Sequence, residues 1–149
     1  MGNGLSNEKI RELAKALDDA IEKHDIEELV SCFSEACEIQ LPGIRLNGHE
    51  GLRKAIRWMY RYLKEITLIP ITIMIQGNTF FEEFIVKARV SSGDIEVRQA
   101  EVLVYDNGCK VREIRLYFDR LELAQAFSSN LFDRILIRKV SAVSLKGLQ

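Results

Sequence analysis

The sequence predicts an α+β fold in which helices pack on one face of an antiparallel sheet. Three long β-rich runs lie between residues 79 and 119, and two short turn signals, Ser92-Gly93-Asp94 and Asp106-Asn107-Gly108, separate them. Short connections of this kind join antiparallel neighbours, so the runs predict a meander of three strands. Because a sheet must cover one face, we expect the remaining elements to pack against this meander.

Length and composition predict one globular domain over residues 1–149, with a core at about 6–127 and an extension at about 128–149. Hydrophobic residues make up 47% of the chain and charged residues 29%, and the net charge of −1 gives no bulk attraction to nucleic acid. No apolar run approaches the roughly 20 residues that span a bilayer, and no signal-peptide pattern opens the chain. We expect no membrane span and a cytoplasmic location.

The cysteines and histidines do not form a metal-binding pattern. The chain has 3 cysteines and 2 histidines, no C-x-x-C spacing occurs, and neither histidine lies near a cysteine pair. We therefore expect reduced thiols, no metal site and no cofactor.

Three helices are predicted before the long strands. Residues 6–23 carry apolar side chains three and four apart, which is the spacing of a helix with one buried face. Asp25 and Glu28 form a capping box at the start of a short second helix. A third helix is predicted from about Glu50 to Lys64.

Two further β-rich segments and a helical end complete the chain. A short alternating strand covers residues 36–41, residues 44–51 are predicted as a loop, and a longer β-rich run covers residues 66–76. Asp119 and Glu122 form a second capping box, which predicts a helix after the meander. The amphipathic run that follows, to about residue 145, fits either a helix or a mixed extension.

Three segments resemble the SnoaL-like proteins of the nuclear-transport-factor-two-like superfamily. They are Leu41-Pro42-Gly43 at the end of the short strand, Asn47 to Leu52 at the entry to the third helix, and Val111 to Asp119 on the closing strand. The resemblance covers roughly residues 6–127. It implies that three N-terminal helices pack on a strongly curved, mostly antiparallel sheet, forming a cone with an apolar internal pocket. It also implies the family's range of functions, from isomerases, cyclases, epoxide hydrolases and dehydratases to non-catalytic binding proteins.

The catalytic residues of two known family mechanisms do not carry over to this chain. Leu41 stands where the steroid isomerases place their aspartate base, before Pro42. Phe84, Val86 and Leu116 stand where the epoxide hydrolases place their charged residues. Because apolar side chains cannot transfer protons, the sequence supports neither mechanism in its familiar form.

Glu101 is the preferred candidate for an acid or base, and Glu38 is the second. If Gln99 and Glu101 face inward, Glu101 is a carboxylate in an apolar pocket with a raised pKa. If that face is solvated instead, Glu101 pairs across strands with a basic residue such as Lys87. Glu38 has the same ambiguity, because Ile39 and its apolar neighbours compete with it for the inner face.

The expected ligand is a small apolar molecule. Besides the carboxylates, the predicted pocket residues are Gln40, Trp58, Tyr62, Phe84, Val86, Gln99, Leu103, Ile114, Leu116 and Phe118. Two functions remain open: a proton-transfer enzyme of the isomerase, cyclase or dehydratase type, and a non-catalytic binding or protein-interaction module. A homodimer is expected through the outer sheet face, on which Phe81, Ile85, Val102, Val104 and Tyr117 form an apolar patch.

Overall fold

The computed structural model describes residues 4–128 and 130–148, which form five helices and six strands. The first helices are α1 (Asn7–Glu22) and α2 (Ile26–Ser31), and α3 (Gly48–Tyr62) follows the first two strands. The strands are β1 (Phe33–Leu41), β2 (Ile44–Asn47), β3 (Lys64–Gln76), β4 (Thr79–Val90), β5 (Gly93–Tyr105) and β6 (Val111–Phe118). The chain ends with α4 (Arg120–Phe127) and α5 (Leu131–Ser144).

The six strands form one curved, unclosed sheet in the order β2-β1-β6-β5-β4-β3. The predicted meander is confirmed as β4, β5 and β6, which pair antiparallel with their neighbours. The parallel pair is β1 with β6, where Ile39 lies opposite Ile114. The count of three N-terminal helices is not confirmed, because α1 and α2 precede the sheet and α3 follows β1 and β2. Residues 44–47 are not a loop but strand β2, which pairs with β1.

Helices α2 and α4 begin at the residues that the two capping boxes predict, and α1 is also capped by a side chain. The side chain of Ser6 accepts a hydrogen bond from the backbone N–H of Lys9 at the start of α1. The side chain of Asp25 accepts a hydrogen bond from the backbone N–H of Glu28 at the start of α2. The side chain of Asp119 accepts two such hydrogen bonds at the start of α4. Each cap satisfies backbone N–H groups that have no partner inside the helix.

The C-terminal extension is a helix rather than an irregular segment. Helix α5 packs on α4 and has no buried residue, and Leu131 and Phe132 at its start are largely exposed. No helix in the described part of the chain is both long enough and apolar enough to cross a bilayer.

The core lies between the helices and the inner face of the sheet. The alternation of β4 buries every second side chain, from Phe80 through Glu82 and Phe84 to Ala88. Helix α1 contributes Ile10 and Leu17, which are almost completely buried. This arrangement makes the concave face of β4, β5 and β6 one wall of an internal space.

Candidate functional site

A cavity of about 140 Å³ lies between the helices and the concave face of the sheet. Its wall is formed almost entirely by apolar side chains from α1, α2, α3, α4 and four of the strands. The polar residues in that wall are Asp18 from α1 and Gln99 and Glu101 from β5. The cavity therefore has the composition of a site for an apolar molecule with a few fixed polar contacts.

Most of the predicted pocket residues lie in the cavity wall. They are Trp58, Phe84, Val86, Gln99, Glu101, Ile114, Leu116 and Phe118. Leu41, at the isomerase-base position, also lines the cavity.

Four predicted site residues lie elsewhere. Ile39 takes the inner side of β1, so Glu38 is exposed and Gln40 points away from the cavity. Leu103 is fully buried in the core beside the cavity, and the ring of Tyr62 packs outside it.

Aromatic rings surround the outer end of the cavity. Phe127 at the end of α4 stacks on Tyr62, with ring centroids 5.1 Å apart, and meets Trp58 edge-on at 6.3 Å. Trp58 and Phe127 belong both to the cavity wall and to a surface groove beside it. Helix α4 therefore separates the cavity from the solvent at this end.

The inner face of β5 carries Glu101, with 5% of its surface exposed. Period-two alternation places Glu101 on the same face as Gln99 and Tyr105. Glu101 lies opposite Glu82 on β4 and Leu116 on β6 rather than opposite a basic residue. Within residues 4–128 and 130–148, no lysine or arginine forms an ion pair with it.

Three carboxyl groups meet beside the cavity, and two of them, Asp18 and Glu101, belong to its wall. Asp18, Glu82 and Glu101 each offer a carboxylate oxygen, and these oxygens lie within 4.8 Å of one another. The strand register brings the two glutamates together, and α1 adds Asp18 beside the buried Leu17. Like charges placed directly opposite each other destabilise a sheet, so this arrangement costs folding energy.

The protein environment raises the pKa of all three groups. Burial, followed by the charges of Glu82 and Glu22, raises the pKa of Asp18 to about 7. Burial also raises the pKa of Glu82. The pKa of Glu101 is raised well above its usual value by burial and then by the charges of Asp18 and Glu82. These shifts favour the protonated forms of Glu82 and Glu101, while Asp18 exchanges readily between its two forms near neutral pH.

Tyr105 lies four residues after Glu101 on the same face of β5 and is not among the residues that line the cavity. It is 2% exposed, and its hydroxyl has no hydrogen-bond partner among the described residues. Burial raises the pKa of Tyr105, and the charges of Glu101, then Cys32, then Asp18 and Glu82, raise it further. A buried hydroxyl without a partner costs about 1–3 kcal/mol.

Asp18 is a site residue that the sequence pattern alone does not reveal. A single acidic residue on an amphipathic helix is usually interpreted as part of the solvated face. The available signal is its spacing, since Asp18 lies four residues after Ala14 and three before Ile21, at the edge of the apolar face. The alternation of β4 predicts an inner position for Glu82, but it indicates no role for that side chain.

Comparisons with known proteins identify the family. The profile of the SnoaL-like domain matches residues 14–114. No curated protein matches the chain.

Solved structures share the fold at low sequence identity. An NTF2-like protein of unknown function from Burkholderia pseudomallei has 14% identity and a TM-score of 0.75, covering 84% of this chain and 100% of its own. An NTF2-like protein from Burkholderia xenovorans has 22% identity and a TM-score of 0.71, with the same coverage. The epoxide hydrolase/cyclase-like enzyme SalBIII, described for pyran ring formation in the polyether salinomycin, has 14% identity and a TM-score of 0.70. That match covers 78% of this chain and 95% of the enzyme. The chain thus has the NTF2-like fold and belongs to the SnoaL-like domain family.

Proposed function

We propose that this protein is a proton-transfer enzyme of the isomerase, cyclase or dehydratase type, acting on a small hydrophobic carbonyl compound in the cavity. The observation that carries the proposal is the position of Asp18 and Glu101. Both line an otherwise apolar cavity, and neither has an ion-pair partner among the described residues. The fold also occurs in SalBIII, an epoxide hydrolase/cyclase-like enzyme, which supports the proposal by analogy of fold alone.

The two carboxyl groups suit different roles. Asp18, with a pKa of about 7, is about half ionised at neutral pH, and its ionised form acts as the base that removes a proton next to the carbonyl carbon. Glu101 keeps its proton and donates a hydrogen bond to the carbonyl oxygen as negative charge develops there. The proton returns from Asp18 to carbon, so the enzyme ends in its starting state. Gln99, which also lines the cavity, supplies a further amide donor.

The proposal predicts catalysed exchange of the protons next to a carbonyl group. Cyclic ketones such as cyclohexanone and 1-indanone are first screened for binding by chemical-shift changes of the Ile114 and Leu116 methyl groups. For those that bind, loss of the α-proton signals in D2O is followed by NMR. Asp18→Asn and Glu101→Gln are each expected to slow the catalysed exchange by about 10²-fold or more, the usual contribution of a general acid or base.

Glu38→Gln is the matched control, because it removes an exposed carboxylate of the same sheet and should leave the rate unchanged. If bound ketones exchange equally fast with the wild type and with the Asp18→Asn/Glu101→Gln double variant, the protein is not a proton-transfer enzyme of this kind.

A second candidate function is non-catalytic binding of a small hydrophobic molecule. This function is supported by apolar residues that line the cavity at positions where relatives carry catalytic groups. They are Leu41, Phe84, Val86 and Leu116. This function requires the cavity but not the acidic cluster. It would be favoured if the double variant bound ketones as well as the wild type and neither catalysed exchange.

The outer face of the sheet is proposed to join two copies of the chain. Tyr117 is 54% exposed there, and Phe81, Ile85 and Val102 are partly exposed around it. A homodimer would cover this apolar patch symmetrically. Light scattering at micromolar concentration is expected to give twice the 17.1 kDa mass of the chain, and Ile85→Lys is expected to return it to the monomer mass. A wild-type mass near 17.1 kDa would contradict the dimer.

A further inference from the structure

We propose that the natural ligand is an apolar molecule with an anionic oxygen group at one end, a carboxylate or a phosphate, which Lys54 and Arg120 bind in the surface groove beside the cavity. The apolar body of the ligand fills the cavity, with its carbonyl group beside Asp18 and Glu101. This inference rests on the proposed function, because it takes the cavity as the ligand site. It adds a charge and an orientation to the ligand.

The groove shares a wall with the cavity. It has a volume of about 450 Å³ and lies between the turn from β1 to β2, helix α3 and helix α4. Trp58 in the shared wall is 44% exposed, so this wall reaches the solvent. An extended ligand can therefore contact apolar side chains from the cavity out to the surface. The residues that line both spaces are Leu41, Ala55, Trp58, Phe118, Leu123 and Phe127.

The charged groups of the two spaces are separated by sign. The polar residues of the cavity wall are Asp18, Gln99 and Glu101, and none of them lines the groove. The charged residues of the groove are Lys54 and Arg120, and neither lines the cavity. The combined site is thus acidic at one end, apolar in the middle and basic at the other end. A ligand with one anionic end is favoured in a single orientation, because ionised Asp18 repels that end and the two cations attract it.

Both cations of the groove have donors available for a ligand. Within residues 4–128 and 130–148, the ion pairs include neither Lys54 nor Arg120. Glu50, one turn before Lys54 on α3, is paired instead with Arg53 at 2.9 Å. The carboxylate of Asp119, next to Arg120 in the chain, accepts hydrogen bonds from backbone N–H groups of α4. The nearest acidic side chains along the chain are therefore engaged elsewhere.

Gly43 holds the guanidinium group of Arg120 at the edge of the groove. Gly43 lies in the turn between β1 and β2 with a φ of +85°, a conformation that favours glycine. A Cβ atom at this position would lie 2.7 Å from Nη1 of Arg120, so the guanidinium occupies space that only glycine leaves free. This contact restricts a long side chain before any ligand arrives, which lowers the entropy cost of binding. The planar guanidinium can then donate two parallel hydrogen bonds to a carboxylate or a phosphate.

The test uses ω-phenylalkanoates of increasing chain length, with the alcohol and the phosphate monoester of each chain. Affinities are measured by isothermal titration calorimetry, and chemical-shift changes of the Ile114 and Leu116 methyl groups report whether the phenyl ring lies in the cavity. Once the chain is long enough to reach the groove, an anion is expected to bind about tenfold more tightly than its alcohol. The tighter anion identifies the end group. The preference should shrink in high salt, because exposed charges are screened.

Variants assign the preference to the two cations. Lys54→Gln and Arg120→Gln should each reduce the ratio of anion to alcohol affinity by about threefold, and the double variant should abolish it. Arg61→Gln is the matched control, because Arg61 is an exposed cation further along α3 that lines neither the cavity nor the groove. Thermal unfolding checks that each variant is folded.

Two results would overturn the inference. One is equal affinity for anion and alcohol at every chain length, and the other is a preference for the anion that survives in the Lys54→Gln/Arg120→Gln double variant. Exchange of neutral ketones in D2O needs no anionic group and decides separately whether the proposed proton-transfer function stands. Catalysed exchange without any preference for anions would remove this inference alone.

Discussion

Replacing Asp18 with asparagine is expected to stabilise the protein strongly at alkaline pH and hardly at all in acid. The pKa of Asp18 is about 7 in the folded protein against a usual value of 3.8. Each pKa unit corresponds to about 1.36 kcal/mol, so holding this group in the fold costs at most about 4 kcal/mol above neutral pH. A neutral amide at this position would carry no such cost, and the free energy of unfolding at pH 8 should rise by a large part of that amount.

The direction of the pH dependence follows from the raised pKa. The folded state binds the proton of Asp18 more tightly than the unfolded state does. Stability from this group is therefore complete below pH 3.8 and is lost as the pH rises to about 7. Urea unfolding from pH 4 to pH 8 should give a steeper fall for the wild type than for Asp18→Asn.

Asp19→Asn provides a control one residue away. The hydrogen bond from Lys15 lowers the pKa of Asp19, so removing its charge should slightly destabilise the protein near neutral pH. Parallel stability curves for the wild type and Asp18→Asn would show that Asp18 is solvated rather than held in the apolar wall.

Filling the cavity is expected to abolish ligand binding. Leu116 is a half-buried cavity residue on β6, and Trp at this position would place an indole ring inside a space of about 140 Å³. Affinity for a ketone that binds the wild type should fall by about 100-fold or more, equivalent to at least about 2.7 kcal/mol. Calorimetry on Leu116→Trp measures this loss, and thermal unfolding reports the accompanying cost of overpacking.

The neighbouring position supplies the matched control. Tyr117 lies on the opposite face of β6 and is 54% exposed, so Tyr117→Trp adds the same ring without entering the cavity. It should bind the ligand as the wild type does. Wild-type affinity in a stably folded Leu116→Trp would show that the ligand binds somewhere else.

The fold could be predicted from the sequence because its strongest signals are local. Turn residues between β4, β5 and β6 and the caps at Ser6, Asp25 and Asp119 each determine structure through neighbours a few residues away. Strand β2 has only four residues, and its pairing with β1 turns a predicted loop into an edge strand. A pattern this short carries too little periodicity to be recognised alone.

The acidic cluster could not be predicted, because it breaks the rule that assigns the more apolar face of each strand to the core. On β5 the outer face carries Ala100, Val102 and Val104, which is as apolar as the face that holds Glu101. Hydrophobic alternation therefore leaves the orientation open. The register with β4, which places Glu82 opposite Glu101, determines it only when both strands are known. Functional positions are those at which local preference and the final structure are expected to disagree.

The parallel pairing of β1 with β6 also orders the steps by which the protein is made. Strand β1 leaves the ribosome early, yet Ile114, the β6 residue opposite Ile39, is synthesised only after β4 and β5 have been made. Until then β1 and β2 form a two-stranded hairpin, which is marginally stable by itself. Helix α1, β4 and β5 can bring the three carboxyl groups together before β6 arrives, while water still reaches them. The arrival of β6 then encloses the carboxyl groups, so their desolvation falls in a late step of folding that depends on long-range contacts.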